Sequence, residues 1–488
     1  MSTGDRECAV AEAVPTELFI NGRWRPASGG KTFDVEDPST GKVLRAVADA
    51  TAEDGIAALD AAAAAQAGWA EYPPRERGEI LRRAYELMMR RQEDLALLMT
   101  LEMGKPVAES RGEIAYAAEF FRWFAEEAVR IDGGFATAPN GAGRVLVMRQ
   151  PVGPSLLITP WNFPAAMGTR KIGPAVAAGC TMVLKPARLT PLSMLAIADI
   201  LAECGLPDGV LNVVPSSRSG PLMEPLIRDG RARKLSFTGS TEVGRLLLTQ
   251  CAEQIMRTSM ELGGNAPFLV FADADLDAAI EGAMVAKMRN VGEACTAANR
   301  FYVHADVVAE FSCRLAEQMG SLRVGRGTDE GVQVGPLVEA KAREKVQHLV
   351  EDAVAGGAQI LVGGGPLDGP GYFYRPTVLV DAPPDAELTR TEIFGPVAPI
   401  TTFTDEQQVL AAANDSPFGL VSYVYTSDLR RALRVCERLE AGMVGLNQGL
   451  VSNPAAPFGG IKHSGLGREG GTVGIEEFLE TKYVAVGP

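Results

Sequence analysis

Two residues of this chain have types and settings that point directly to a reaction: Cys295, in Gly292-Glu-Ala-Cys295-Thr296, and Glu261, in Met260-Glu-Leu-Gly-Gly-Asn265. A thiolate nucleophile makes an acyl thioester, and a separate carboxylate activates the water that hydrolyses it. The three histidines, His304, His348 and His463, sit in no recognisable catalytic motif. The base role therefore passes to a carboxylate. Asn162, in Thr159-Pro-Trp-Asn162-Phe-Pro164, offers an N–H donor that does not titrate. Such a donor suits a developing oxyanion, although Asn is also a routine turn residue.

These side chains need a framework, and 488 residues exceed one hydrophobic core, so two or three domains are expected. Residues 51–69 read as an Ala-rich helix with Glu53 and Asp54 in its first turn. Residues 75–101 and 113–130 carry apolar side chains at helical spacing, and Phe120, Phe121 and Phe124 read as core. A Gly/Pro/Ala stretch at 133–143 leads into an alternating strand at 144–149. From residue 154 the pattern changes. Short apolar runs at 155–159, 181–184, 211–214 and 234–237 alternate with helical stretches. Strands buried on both faces and separated by helices indicate a parallel sheet. A second such series runs through 266–271, 300–304, 359–362 and 443–446. Glu261 falls at the seam between the two and Cys295 just inside the second. The strand-like residues 482–486 have no neighbour in sequence and pair either with 144–149 or with another subunit.

A net charge of −14 and a pI near 5.0 argue against nucleic acid or an anionic membrane as a main partner. No apolar run approaches the roughly 20 residues of a membrane span. The first fifteen residues carry acids and no apolar core, which argues against a signal peptide. Seven scattered cysteines, none in C-x-x-C, suggest neither a disulfide framework nor a metal site. A cytoplasmic enzyme is the expectation.

Glycine motifs need their context. Gly465-Leu-Gly-Arg-Glu-Gly470 has dinucleotide-loop spacing, but no parallel-sheet unit follows it, so it is rejected as a cofactor loop. Gly239-Ser-Thr-Glu-Val-Gly244 has P-loop spacing, but Arg245 and Leu246 replace the required Lys and Ser/Thr. Gly239 and Ser240 do link a strand to a helix N-terminus, where small residues let a diphosphate approach the amides; an ordinary strand–helix turn is the alternative. Lys185 closes a strand, where an adenosine ribose lies in doubly wound folds.

Six segments in common order resemble the aldehyde dehydrogenase superfamily: Pro160-Trp-Asn-Phe-Pro164, Phe237-Thr-Gly-Ser240, Glu261-Leu-Gly-Gly-Asn265, Gly292-Glu-Ala-Cys295, Glu392-Ile-Phe-Gly-Pro396 and Pro457-Phe-Gly-Gly460. The resemblance covers nearly the whole chain after about residue 15. It implies an α/β fold of two doubly wound domains, cofactor-binding and catalytic, plus a small β oligomerisation arm in a homodimer or homotetramer. The corresponding division is 1–130 and 150–260 for the cofactor, 261–458 for catalysis, and 131–149 with 459–488 for the arm and C-terminal segment. It also implies Cys295 as nucleophile, Glu261 as general base, and Asn162 with the Cys295 amide as oxyanion donors. Pro160, Trp161, Gly239, Ser240 and Leu262 would line the cofactor cleft. Lys185 would contact the adenosine ribose, Glu392 the nicotinamide ribose and Phe394 the nicotinamide. Glu469 matches a carboxylate sometimes placed in a proton relay.

Relatives that oxidise simple aldehydes typically carry bulky aromatics where this chain has Arg170 and Arg289. Two guanidinium groups suit a carboxylate, and Ser452 adds a hydroxyl donor; structural salt bridges are the alternative. Within the superfamily this pattern resembles the succinate-semialdehyde dehydrogenases, with glutarate semialdehyde or another short ω-oxo acid as alternative substrates. Many of those enzymes have a second Cys two residues after the nucleophile, where this chain has Ala297, and Glu293 stands where Gln is common. An acid there opposes thiol ionisation, so its side chain is expected to point away. Arg188 replaces the Glu of NAD-preferring relatives, so NADP is favoured over NAD. A CoA-acylating dehydrogenase, a cysteine hydrolase and a structural role are the rival readings.

Overall fold

The computed structural model describes residues 3–487; residues 1, 2 and 488, at the ends of the expected division, lie outside them. Two parallel α/β sheets and an antiparallel arm build the molecule, in agreement with the expected fold class.

The first sheet has five parallel strands in the spatial order Leu211–Val213, Met182–Lys185, Ser155–Ile158, Lys234–Thr238, Arg257–Glu261. The strand earliest in sequence, Ser155–Ile158, lies in the middle, and the chain winds outward from it in both directions. That reversal makes a crevice beyond the C-terminal ends of Ser155–Ile158 and Lys234–Thr238, the position where doubly wound sheets take ligands. All four residues of Ser155–Ile158 are buried, as a strand covered by helices on both faces requires. Antiparallel strands extend both edges: Leu18–Ile20 and Arg23–Arg25 on one side, Gly465–Leu466 on the other. The rejected glycine motif thus supplies an edge strand, not a phosphate loop.

The second sheet runs Gln359–Val362, Thr377–Val380, Val397–Phe403, Ala298–His304, Ala266–Val270, Val421–Tyr425, Met443–Leu446, parallel except for its first strand. Leu479–Val486 pairs along its full length with Arg144–Pro151, which also pairs with Gly134–Thr137. The C-terminal strand therefore finds its partner within its own chain.

The helix expected over 75–101 is two helices, Pro74–Arg90 and Gln92–Met103. Arg91, at φ −97° and ψ 12°, breaks the helical path between them. The apolar spacing continues across the break, which hides it from periodicity. Helix Val107–Glu127 packs Phe120, Phe121 and Phe124 into the core against helix Ala166–Ala178, which is buried at every position. Their contact is close: a Cβ at Gly173 would lie 3.0 Å from the Phe124 ring.

Candidate active site

Cys295 follows a strained turn. Asn290 and Val291 both adopt left-handed backbone angles (φ 53°), and Gly292 follows at φ 80°. Asn tolerates that conformation; a β-branched Val does so only under constraint. Gly292 has no alternative, because a Cβ there would lie 2.3 Å from the Gly395 carbonyl oxygen. The turn thus abuts the loop that carries Glu392 and Phe394. From the other side Gly264 approaches so closely that its Cβ would lie 2.5 Å from the Cys295 carbonyl oxygen.

Burial pushes the Cys295 thiol up to about 12; Arg170 and Arg289 oppose the rise, while Glu392 and Glu261 add to it. Asn162 is buried beside it, donating from Nδ2 to the Glu293 carbonyl oxygen at 3.0 Å and accepting at Oδ1 from the Phe163 amide at 3.1 Å. A primary amide has two N–H groups, so one remains for a substrate oxygen. The Glu293 side chain accepts from the Val338 amide at 3.1 Å, and it is not among the charges that act on the Cys295 thiol. Burial holds that carboxyl well above the usual carboxylate range.

Glu261 ends the strand Arg257–Glu261. It is buried, and neither carboxylate oxygen has a hydrogen-bond partner. Burial, reinforced by the nearby Glu469 charge, raises its pKa well above the ordinary range against the pull of Arg170, Lys171 and Arg468. Glu469 behaves oppositely. Burial raises it, but Lys171 (2.5 Å) and Arg170 (3.4 Å) outweigh that and hold it ionised.

A cavity of about 340 Å³ lies in the crevice of the first sheet. Pro160, Trp161 and Asn162 border it after one strand, Gly239 and Ser240 after the next, and Glu261 and Leu262 at the end of the last; Cys295, Glu392, Phe394 and the start of helix Ala340–Ala355 also line it. Trp161 and Phe394 meet edge to face at 5.4 Å, with Phe394 at φ 55°. Glu392 accepts from the Gly264 amide at 3.3 Å, and burial lifts it to about 7. Ser240 caps helix Thr241–Ala252. These parts fit a dinucleotide: an aromatic corner, small residues at a helix N-terminus, and carboxylates for hydroxyl groups. Lys185 is buried at the end of its strand, where desolvation and Arg188 lower it to about 8. Arg188 is exposed and faces Glu339 at 3.6 Å.

A second cavity, about 540 Å³, shares no lining residue with the first. Arg289 and Ser452 line it together, joined at 3.2 Å, with the Arg289 guanidinium 4.7 Å from the Phe163 ring centroid. Arg170 does not line this cavity. It is 2% exposed, donates to the Tyr116 hydroxyl at 2.8 Å and to Glu469, and stacks 4.1 Å over Phe458. Its Nε has no partner. Among the described residues no cluster of His, Cys, Asp and Glu could hold a metal ion, and no helix is long and apolar enough to cross a membrane.

The aldehyde dehydrogenase family model matches residues 24–484. The chain belongs to that family. It is 60% identical to a succinate-semialdehyde dehydrogenase of Paenarthrobacter nicotinovorans, over 91% of this chain and 99% of that one. It is 51% identical to a glutarate-semialdehyde dehydrogenase of Pseudomonas putida, over 98% of each. The crystal structure of an Escherichia coli NADP-dependent enzyme superposes with a TM-score of 0.97 at 50% identity, covering 98% of this chain and 99% of that one.

Several residues of this aldehyde dehydrogenase site escaped the sequence. Tyr116 lies between both arginines, its ring 5.9 Å from Arg170 and 5.8 Å from Arg289. It sits in a stretch whose apolar spacing reads only as core. Lys171 did leave a signal: two adjacent cations, Arg170 and Lys171, in a helix otherwise made of small and apolar residues. Lys105, Glu109 and Asn290 left none.

Proposed function

We propose that this enzyme oxidises succinate semialdehyde to succinate, with NADP favoured over NAD. The observation that carries the substrate class is the Arg289–Ser452 pair in the wall of the second cavity. A fork of N–H donors beside a hydroxyl suits a carboxylate. Arg170 contributes its charge from behind Tyr116, and the Tyr116 hydroxyl, already accepting from Arg170, has its own proton free for the substrate carboxylate. Names of relatives support the same class, since both semialdehydes they specify end in a carboxylate. Glutarate semialdehyde remains the second reading, and the size of the cavity, about 540 Å³, accommodates the longer chain.

In this reading Cys295 attacks the aldehyde carbon as the thiolate, its proton already lost to solvent, and Asn162 Nδ2 with the Cys295 amide hold the resulting oxyanion. A nicotinamide held in the crevice between Trp161, Glu392 and Phe394 would supply the hydride acceptor, and Cys295 would then hold the acyl group as a thioester. Glu261 then takes a proton from water, and the hydroxide releases the acid. Arg170 and Lys171 form a cationic wall that pulls the Glu261 pKa down, and Glu469, ion-paired to both, is the carboxylate placed to relay its proton. Lys185 and Arg188 bind the adenosine end, Arg188 favouring a 2′-phosphate, as the NADP-dependent structural relative suggests. The seven unpaired cysteines suit a reducing compartment, and we place the enzyme in the cytoplasm. The three-stranded arm exposes Phe135 and Tyr483, and we assign it to subunit contacts in a homodimer or homotetramer.

The test is a panel of aldehydes of graded length, with and without a terminal carboxylate. Arg289→Ala is expected to lower kcat/KM for succinate semialdehyde roughly 100-fold, as loss of hydrogen bonds to a charged group does, and to leave butanal little changed. Equal losses on both would refute the clamp.

A further inference from the structure

One face of helix Val107–Glu127 touches both halves of the oxyanion site. Glu109 and Glu113 are one helical turn apart and therefore neighbours on that face, and Lys105 lies just before the helix. Lys105 is buried, ion-paired with Glu113 Oε2, and donates from Nζ to the Asn162 carbonyl oxygen at 2.9 Å. Glu113 Oε1 accepts from the amides of Ala165 (3.0 Å) and Ala166 (3.2 Å). Two buried charges thus hold the segment that carries Asn162. Glu109 Oε2 accepts from the Asn290 amide at 2.7 Å, in the strained turn that leads to Cys295. The Asn290 side chain then joins the halves, donating to the carbonyl oxygens of Asn162 (3.0 Å) and Glu293 (2.9 Å).

We infer that Lys105, Glu109 and Glu113 are positioning residues that set the geometry of the oxyanion site by bracing the Asn162 segment and the Cys295 turn against one helix face. Val291 at φ 53° persists only where its surroundings over-determine it, and the Glu109–Asn290 bond is such a constraint. Donors to a developing charge must stand within about 0.5 Å of the productive geometry, so a slackened turn costs rate more than binding. The inference rests on the reading of Asn162 as oxyanion donor.

Glu109 is the residue to change, because it is half-buried, whereas breaking the Lys105–Glu113 pair strands a buried charge. Glu109→Ala is expected to slow the single-turnover burst of reduced nicotinamide by about tenfold or more, since displacement of catalytic groups by 1 Å can cost 100-fold. Cofactor affinity stays unchanged. Glu109→Gln, whose amide oxygen still accepts from Asn290, restores the burst to within about threefold. In an Asn162→Ala background the Glu109→Ala loss shrinks, because both changes act through one site. If the alanine enzyme does not fold, Glu109→Ser runs the same comparison. An unchanged burst in Glu109→Ala, equal losses in the Ala and Gln enzymes, or losses that multiply with Asn162→Ala would overturn the inference. If Asn162→Ala alone leaves the burst unchanged, the oxyanion assignment fails, and with it the ground for the brace.

Discussion

Cys295 stands near two groups of ionisable side chains, and burial acts on them differently. On the cofactor side stand Glu261 and Glu392, both buried and both shifted by that burial toward their neutral forms. On the substrate side stand Arg289 and, behind Tyr116, Arg170, whose charges oppose the rise of the Cys295 pKa. Arg289 is the cation that meets an anionic aldehyde there, in a cavity that Lys105, Glu109 and Glu113 also line. The phosphate-bearing cofactor meets carboxylates whose charge the protein has suppressed. The sulfur lies between these fields, and burial outweighs both. Burial raises the thiol, and the two guanidinium groups oppose that rise.

The largest expected effect breaks the cofactor side. Glu261→Gln should retain the first burst of hydride transfer but lose about 10²- to 10⁴-fold in steady turnover, the usual worth of a general base. The pH dependence has a definite sign. A base acts only when ionised, and burial raises the Glu261 pKa, so hydrolysis of preformed acyl-enzyme should accelerate as pH rises through that raised value. The acceleration should vanish in Glu261→Gln; its persistence would assign the base elsewhere. At the adenosine end, Arg188→Ala should lower kcat/KM for NADP about tenfold, the scale of one hydrogen bond to a charged group, and change that for NAD little. An equal loss with both cofactors would remove Arg188 from the 2′-position. The smallest effect sharpens the substrate side. Tyr116→Phe removes one hydroxyl proton and should cost about threefold in kcat/KM for succinate semialdehyde, with none for butanal. A matching loss on butanal would make Tyr116 a packing residue only.

The two sides also differ in how much of them could be read before the fold was known. Three pieces of the cofactor crevice are short contiguous motifs at the ends of parallel strands: Pro160 and Trp161, Gly239 and Ser240, Glu261 and Leu262. The sheet brings strand ends together by its topology, so the motifs predict their own convergence. The substrate side has no such rule. Arg289, Ser452 and Tyr116 meet from a turn, a loop and a helix interior more than 150 residues apart. Helical periodicity identifies the buried face around Phe120, but it cannot separate core from cavity wall. The positive charge of Arg170 was legible; the engagement of its guanidinium by Tyr116 and Glu469 was not, since both partners are fixed only by tertiary packing. The same limit applies to strand Leu479–Val486, whose partner within its own chain depends on where the arm folds back.

The account stands on a covalent bond to one sulfur, and intact-mass analysis of the Glu261→Gln enzyme after one turnover with succinate semialdehyde and NADP tests it most directly. The expected result is a protein heavier by one succinyl group, located at Cys295 and absent from Cys295→Ser. Reduced nicotinamide formed in stoichiometric amount with no added mass on Cys295 would contradict it.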